Sequence, residues 1–155
     1  MKRRKPVISK LLVPTDGSKA AMRSIEYAAE FAQQVGASIT LLSVVDKSVL
    51  VPQSVPALST SKSLIEPIED YLKMAADSYL EEAEKFCASR GIKTRKIVRS
   101  GRPVDEIVKE AEKSKVDVIV IGSRGKSALK AAVLGSVAFG VINKETKIPV
   151  LVVRK

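Results

Sequence analysis

The chain has 155 residues, 45% of them hydrophobic, which is enough for one globular unit with a continuous core. It carries 27 Lys and Arg against 17 Asp and Glu, a net charge of +10, with no histidine and a single cysteine. That inventory excludes an internal disulfide and any zinc or haem centre built on His and Cys, and it fits a reducing cytosol.

The opening MKRRKPVISKLLVP is basic. Lys10 splits its short apolar run and no small-residue cleavage site follows, which argues against a signal peptide. No run approaches the length of a membrane span. Val7 to Val13 predicts a first strand, ended by Pro-Thr-Asp-Gly-Ser. Ser18 can cap the helix that follows, where Ala21, Ile25, Ala28, Ala32 and Val35 recur at helical spacing up to a closing Gly36. ASITLLSVVD predicts a second buried strand, rich in β-branched residues and ending at Asp46. The stretch from Lys47 to about Ile65, heavy in Ser and Pro, predicts a flexible surface loop, placed after the second strand where it could fold over a site as a lid.

A long helix is expected from Pro67, with Ile68, Leu72, Ala75, Tyr79, Ala83 and Phe86 as its apolar stripe and Gly91 as its stop. IKTRKIVRS alternates charged and apolar residues, the pattern of an edge strand. Pro103 opens a helix burying Val104, Ile107, Val108 and Ala111, and Asp117 to Ile121 forms a fourth strand. After a glycine loop the last helix starts at Ser136, and Pro149 announces the closing strand VLVV. Strands alternating with helices predict an α/β fold, a five-stranded parallel sheet of order 3-2-1-4-5 with helices on both faces. In that order strands one and four are neighbours whose connections leave to opposite faces, and ligands bind in the crevice between them.

DVIVIGSRGKS suggests the phosphate loop of an ATPase. The match fails, because the first Gly of that loop would have to stand five residues before Gly125, where the chain has Val120. A second arrangement remains: Gly122, Gly125, then nine residues, then Gly135 and Ser136. Glycines bring backbone N–H groups close to an anion without a Cβ in the way, and the last helix would present its positive end beside the Ser136 hydroxyl. The bland alternative is that the glycines only make turns and Ser136 only caps a helix.

The spacing GSRGKSALKAAVLGS resembles the nucleotide-binding signature of the universal stress protein family, and LLVPTDGS, TLLSVVD and IPVLVV are similar to that family's other landmarks, in the same order. The resemblance spans almost the whole chain. It implies a Rossmann-like, adenine nucleotide alpha hydrolase-like domain that binds ATP with Mg2+ or Mn2+ on the phosphates and no metal ligand from the protein. It further implies that Pro14 and Thr15 lie beside the base, that the Asp16 carboxylate reaches the ribose hydroxyls, and that the backbone of Val44 pairs with the adenine edge. Ile121 would pack on the adenosine side. Gly122, Gly125, Gly135, Ser136 and the Val137 N–H would hold the phosphates. Arg124 and Lys126, at positions the family does not fix, either add charge to the same site or stand as exposed loop charges. Asp16 has an alternative role as N-cap of the first helix.

Phosphoryl transfer needs an organised metal and a residue to orient the nucleophile. The chain offers phosphate donors without a second acidic motif or a histidine base, so binding is expected over turnover, with at most slow hydrolysis. The expected function is a nucleotide-dependent switch or sensor in the stress response. Two other readings stay open. A basic nucleic-acid-associated protein would use the charge of Lys2, Arg3, Arg4 and Lys5, of residues 93–102, and of Arg124, Lys126 and Lys130, but aromatics are only 4% and none interleave with the basic residues. A nucleotide-independent dimeric scaffold would use the last strand, which lacks the inward charge or internal proline that blunts an edge. Pairing of that strand with its own copy is expected in either case, giving a homodimer through Val150, Leu151, Val152 and Val153.

Overall fold

Leu11, Leu12 and Val13 are fully buried, in a strand only five residues long, β1 (Lys10–Pro14). Such a strand has core on both faces and belongs in the middle of a sheet. The computed structural model describes residues 8–46, 48, 62–125 and 134–154, the first four of α2 by backbone alone. The basic residues Lys2 to Lys5, most of the Ser/Pro-rich stretch with its expected role as a lid, and Lys126 and Lys130 lie outside the described residues.

From β1 the chain enters α1 (Lys19–Val35), returns as β2 (Ser38–Asp46), and continues through α2 (Lys62–Ser89), β3 (Thr94–Gly101), α3 (Pro103–Lys113), β4 (Val118–Gly122), α4 (Ser136–Asn143) and β5 (Val150–Val153). All strand pairs are parallel and the order is β3-β2-β1-β4-β5, as the alternation of elements predicts. Alternate side chains divide the core. Leu11, Val13, Ile39, Leu41, Val118 and Val120 pack against Ile25, Ala28 and Ala32 of α1, and against Leu80, Ala83 and Cys87 of α2. Leu12, Leu42, Ile119 and Ile121 face the other way, onto Ile107, Val108 and Ala111 of α3 and Ala138 and Val141 of α4. Burial lifts the Cys87 thiol to a pKa of about 11, so it stays protonated.

Two expectations for α2 need correction. The helix begins at Lys62, with Pro67 inside it as the sixth residue. The missing proline N–H removes one bond, that to the Ser63 carbonyl, and the helix tolerates it near its start. The buried stripe keeps Ala83 but otherwise shifts by one position, to Ala76, Leu80 and Cys87, while Ile68 is 48% exposed. A helix of 28 residues runs about 42 Å, whereas the longest strand covers about 30 Å. The first turns of α2 therefore outrun the sheet that would bury them.

β3 is an edge strand, as expected, and its Arg99 reaches Glu110 of α3. At the opposite end of the sheet from the crevice, one Asp117 carboxylate oxygen accepts the backbone N–H groups of Ser9 (2.8 Å) and Lys10 (2.9 Å) and the Ser9 hydroxyl (3.1 Å). These bonds, the Ser9 N–H first, hold the carboxyl below the usual aspartate range. A depressed pKa contributes stability above the unfolded value near 4, and that contribution disappears as pH falls through the folded value. Asp117→Asn is accordingly expected to cost about 1 kcal/mol at pH 7 and to cost progressively less below pH 4, as chemical denaturation across that range would show.

Candidate functional site

β1 and β4 lie side by side, Leu11 opposite Val118 and Leu12 opposite Ile119. The chain leaves β1 for α1 on one face, and α4 follows β4 on the other, so a crevice opens beyond Pro14 and Gly122. Its first wall is the turn from Pro14 to Ser18. The Thr15 N–H donates to the Leu42 carbonyl (2.8 Å), the Thr15 Oγ1 accepts the Gly17 N–H (3.2 Å), and the Asp16 Oδ1 accepts the Ser18 N–H (2.9 Å). Ser18, rather than Asp16, caps α1, its hydroxyl accepting the Ala21 N–H at 3.1 Å. Asp16 is thereby held by a local turn, half-buried, with its other oxygen turned toward the second wall.

The second wall is the glycine loop. A Cβ placed on Gly125 would stand 2.9 Å from the Asp16 Oδ2, so two turns 109 residues apart in sequence meet at this point. The Gly135 N–H donates to the Ser123 carbonyl, and a Cβ on buried Gly135 would come within 3.1 Å of that oxygen and 3.3 Å of the Arg124 Cα. Gly122 is less tight, its Cβ position 3.4 Å from the Ala20 carbonyl and the Ser24 hydroxyl. Gly135 is the N-cap of α4 and brings no side-chain bond, so the N–H groups of the first turn, Ser136 and Val137 among them, are left to other partners. Ser136 is exposed at the first helical position and Val137 is half-buried. Arg124 is half-buried between the two glycines.

β1 ends opposite Leu42, whereas β2 runs on to Asp46 beside β3. The Leu42 carbonyl points to the β1 side, since Thr15 bonds to it. With a period of two, the N–H and C=O of Val44 point to that side as well, where β1 no longer runs. The half-buried Val44 side chain packs into the α3–α4 core, leaving its backbone to the crevice. Ile121 is 5% exposed in the same core, so it floors the crevice and offers little surface of its own.

Tyr79 of α2 is a neighbour that the sequence does not advertise. Its ring lies over Gly17, closer than any Cβ at that position would tolerate, and Gly17 adopts φ +79°. Periodicity marked Tyr79 as one more residue of a buried stripe; its contact with a turn 62 positions away has no local signal. A cleft of about 180 Å³ lies beside this contact, lined by Thr15, Ser18, Met22 and Glu82 among others. The larger hollow, about 760 Å³, sits at the other end of the sheet between the segments entering β4 and β5, and its Glu112, Lys115, Glu145 and Lys147 are of mixed charge. The strand reversal, the paired glycines and the start of α4 all lie at the crevice instead. Among the described residues no cluster of three His, Cys, Asp or Glu side chains could hold a metal, and no helix is long and apolar enough to cross a membrane.

The sequence profile of the Universal stress protein family matches residues 8–154. The chain is 37% identical over 146 residues to Universal stress protein MJ0531 of Methanocaldococcus jannaschii, covering 94% of this chain and 82% of that protein. Its fold superposes on the solved structure of MJ0577 from the same organism with a TM-score of 0.83 at 32% identity, over 96% of this chain and 97% of that one. A universal stress protein from Archaeoglobus fulgidus, solved in complex with dAMP, shares the fold with a TM-score of 0.66 at 23% identity, over 94% and 96% of the two chains.

Proposed function

Because the chain belongs to the universal stress protein family, we propose that it binds ATP in the crevice between β1 and β4 and acts in the cytoplasm as a nucleotide-dependent switch or sensor in the stress response. The observation that carries this reading is the glycine cradle. Gly125 and Gly135 stand where a side chain would crowd Asp16 or the Ser123 carbonyl, and the cradle opens on the N-terminus of α4. The nucleotide complex of the Archaeoglobus fulgidus relative agrees with a purine nucleotide in this fold.

In this reading the Val44 N–H and C=O recognise the adenine edge, with Pro14 and Thr15 beside the base and Ile121 beneath it. The Asp16 carboxylate accepts the ribose hydroxyls. Gly122, Gly125, Gly135, Ser136 and the Val137 N–H hold the phosphates, and Arg124 adds positive charge. Mg2+ or Mn2+, bound with the nucleotide, would offset the negative charge of its phosphates beside the Asp16 carboxylate. These groups bind and orient, with at most slow hydrolysis, so occupancy of the site is the signal. Calorimetric titration of ATP with Mg2+ into nucleotide-stripped protein tests the reading, with GTP as the control for base recognition. Heat from neither nucleotide, with an unshifted melting temperature, would overturn it.

The same proposal includes a homodimer. β5 pairs with β4 along one side, and its Val150, Leu151, Val152 and Val153 are half-buried with no charge before Arg154. Phe139 and Ile142 of the adjoining α4 are 59% and 46% exposed, on the flank of that helix away from the Gly140 contact with α3. Antiparallel pairing of β5 with its own copy would satisfy the edge and cover apolar surface. Leu151→Lys is expected to halve the sedimentation mass; an unchanged mass would remove the dimer from this reading.

A further inference from the structure

We propose that Tyr79 is a positioning residue for the nucleotide site: its ring clamps the turn at Gly17 and so fixes the Asp16 carboxylate where it meets the ribose. The inference rests on the ATP-binding reading of the crevice and adds to it a residue from α2, a helix that supplies none of the groups assigned above.

Among the described residues the turn between β1 and α1 is anchored on three sides. The Thr15 N–H ties it to β2, and the Ser18 cap ties it to α1. Between those anchors stands Gly17, at φ +79°, which has no side chain with which to hold itself. The Tyr79 ring fills that gap, with Cε1, Cδ1 and Cζ all crowding the position that a Cβ on Gly17 would take. Asp16 precedes Gly17, and its Oδ1 bond to the Ser18 N–H closes around the same residue. A shift of Gly17 therefore turns the Asp16 carboxylate, and the Oδ2 that faces Gly125 moves with it. Glycine is needed at 17 for two separate reasons, the left-handed backbone and the ring above it.

The consequence is selective. Losing the clamp should weaken what Asp16 does and spare what the glycine cradle does. Titrations of ATP and of 2′,3′-dideoxy-ATP, each with Mg2+, into wild type, Tyr79→Phe and Tyr79→Ala separate the two. In wild type the dideoxy nucleotide should bind about 100-fold more weakly, because it lacks both hydroxyls offered to a carboxylate. In Tyr79→Ala the ATP affinity should fall to that of the dideoxy nucleotide while the latter stays the same, and Tyr79→Phe should restore the difference. Equal loss for both nucleotides would reduce Tyr79 to a general packing role, and undiminished discrimination in Tyr79→Ala would overturn the inference while leaving the ATP-binding reading intact. Absence of binding in wild type would overturn both. The contact itself has a readout without nucleotide: Gly17→Ala should lower the melting temperature less in the Tyr79→Ala background than in wild type, and equal losses would contradict the clamp.

Discussion

Gly125→Val is expected to weaken ATP binding by about 100-fold or more with little change in melting temperature. Gly125 is exposed and its backbone is outside the left-handed region, so the folded chain accepts a side chain there at small cost in stability. The site does not. The first carbon of the new side chain would come within 2.9 Å of the Asp16 Oδ2, and the rest would project into the space over the cradle. The variant thus displaces the ribose-binding carboxylate and blocks the phosphates together. Loss of two charge-assisted hydrogen bonds, at about 1.5 kcal/mol each, already corresponds to about 100-fold in affinity. Calorimetry on the wild type and the variant, paired with thermal melts, checks both halves; full affinity in the variant would exclude the glycine loop as a phosphate site. Gly135→Val is a poorer probe, because Gly135 is buried against the Ser123 carbonyl and folding would suffer along with binding.

Arg99→Met is expected to destabilise the fold by about 2–3 kcal/mol. Glu110 is 2% exposed, and its Oε1 accepts from the Arg99 guanidinium at 2.8 Å while its Oε2 accepts from the Ser114 hydroxyl at 2.9 Å. Removing the arginine leaves a buried carboxylate with one neutral partner, a loss that commonly costs about 3–5 kcal/mol. The Arg99 side chain is 38% exposed, so water can replace part of the bond and the lower figure applies. Replacing both residues, as in Arg99→Met with Glu110→Leu, should restore much of the stability, because no unpaired charge remains. Denaturant titrations of the two variants decide it: a double variant as unstable as the single one would mean that the pair is worth its full bond energy to the fold.

The dimer, the nucleotide and the Tyr79 clamp make separable claims on the molecule. β5 lies at one end of the sheet and meets the glycine loop at its last residue, where the Val153 carbonyl accepts the Ser123 N–H. Leu151 lies two residues short of that bond, opposite Val120, so Leu151→Lys should leave ATP affinity unchanged in the resulting monomer.

By itself the sequence determined whatever depends on local pattern. Short apolar runs bounded by turn residues fixed the strands, Ser18 and Gly36 fixed the ends of α1, Pro103 fixed the start of α3, and the alternation of elements with right-handed crossovers fixed the sheet order. The glycine spacing from Gly122 to Gly135 was legible too, since it sits in one stretch of chain. The register of α2 was not, because its apolar residues wind most of the way round the helix, and which of them are buried depends on how far the sheet reaches beneath it. Nor was the Arg99–Glu110 pair, in which each residue looks like ordinary surface charge until β3 and α3 are brought together. The contacts of Asp16 with Gly125 and of Tyr79 with Gly17 were likewise decided by the tertiary structure alone, because they join segments far apart in the chain, and only packing sets the distance between them.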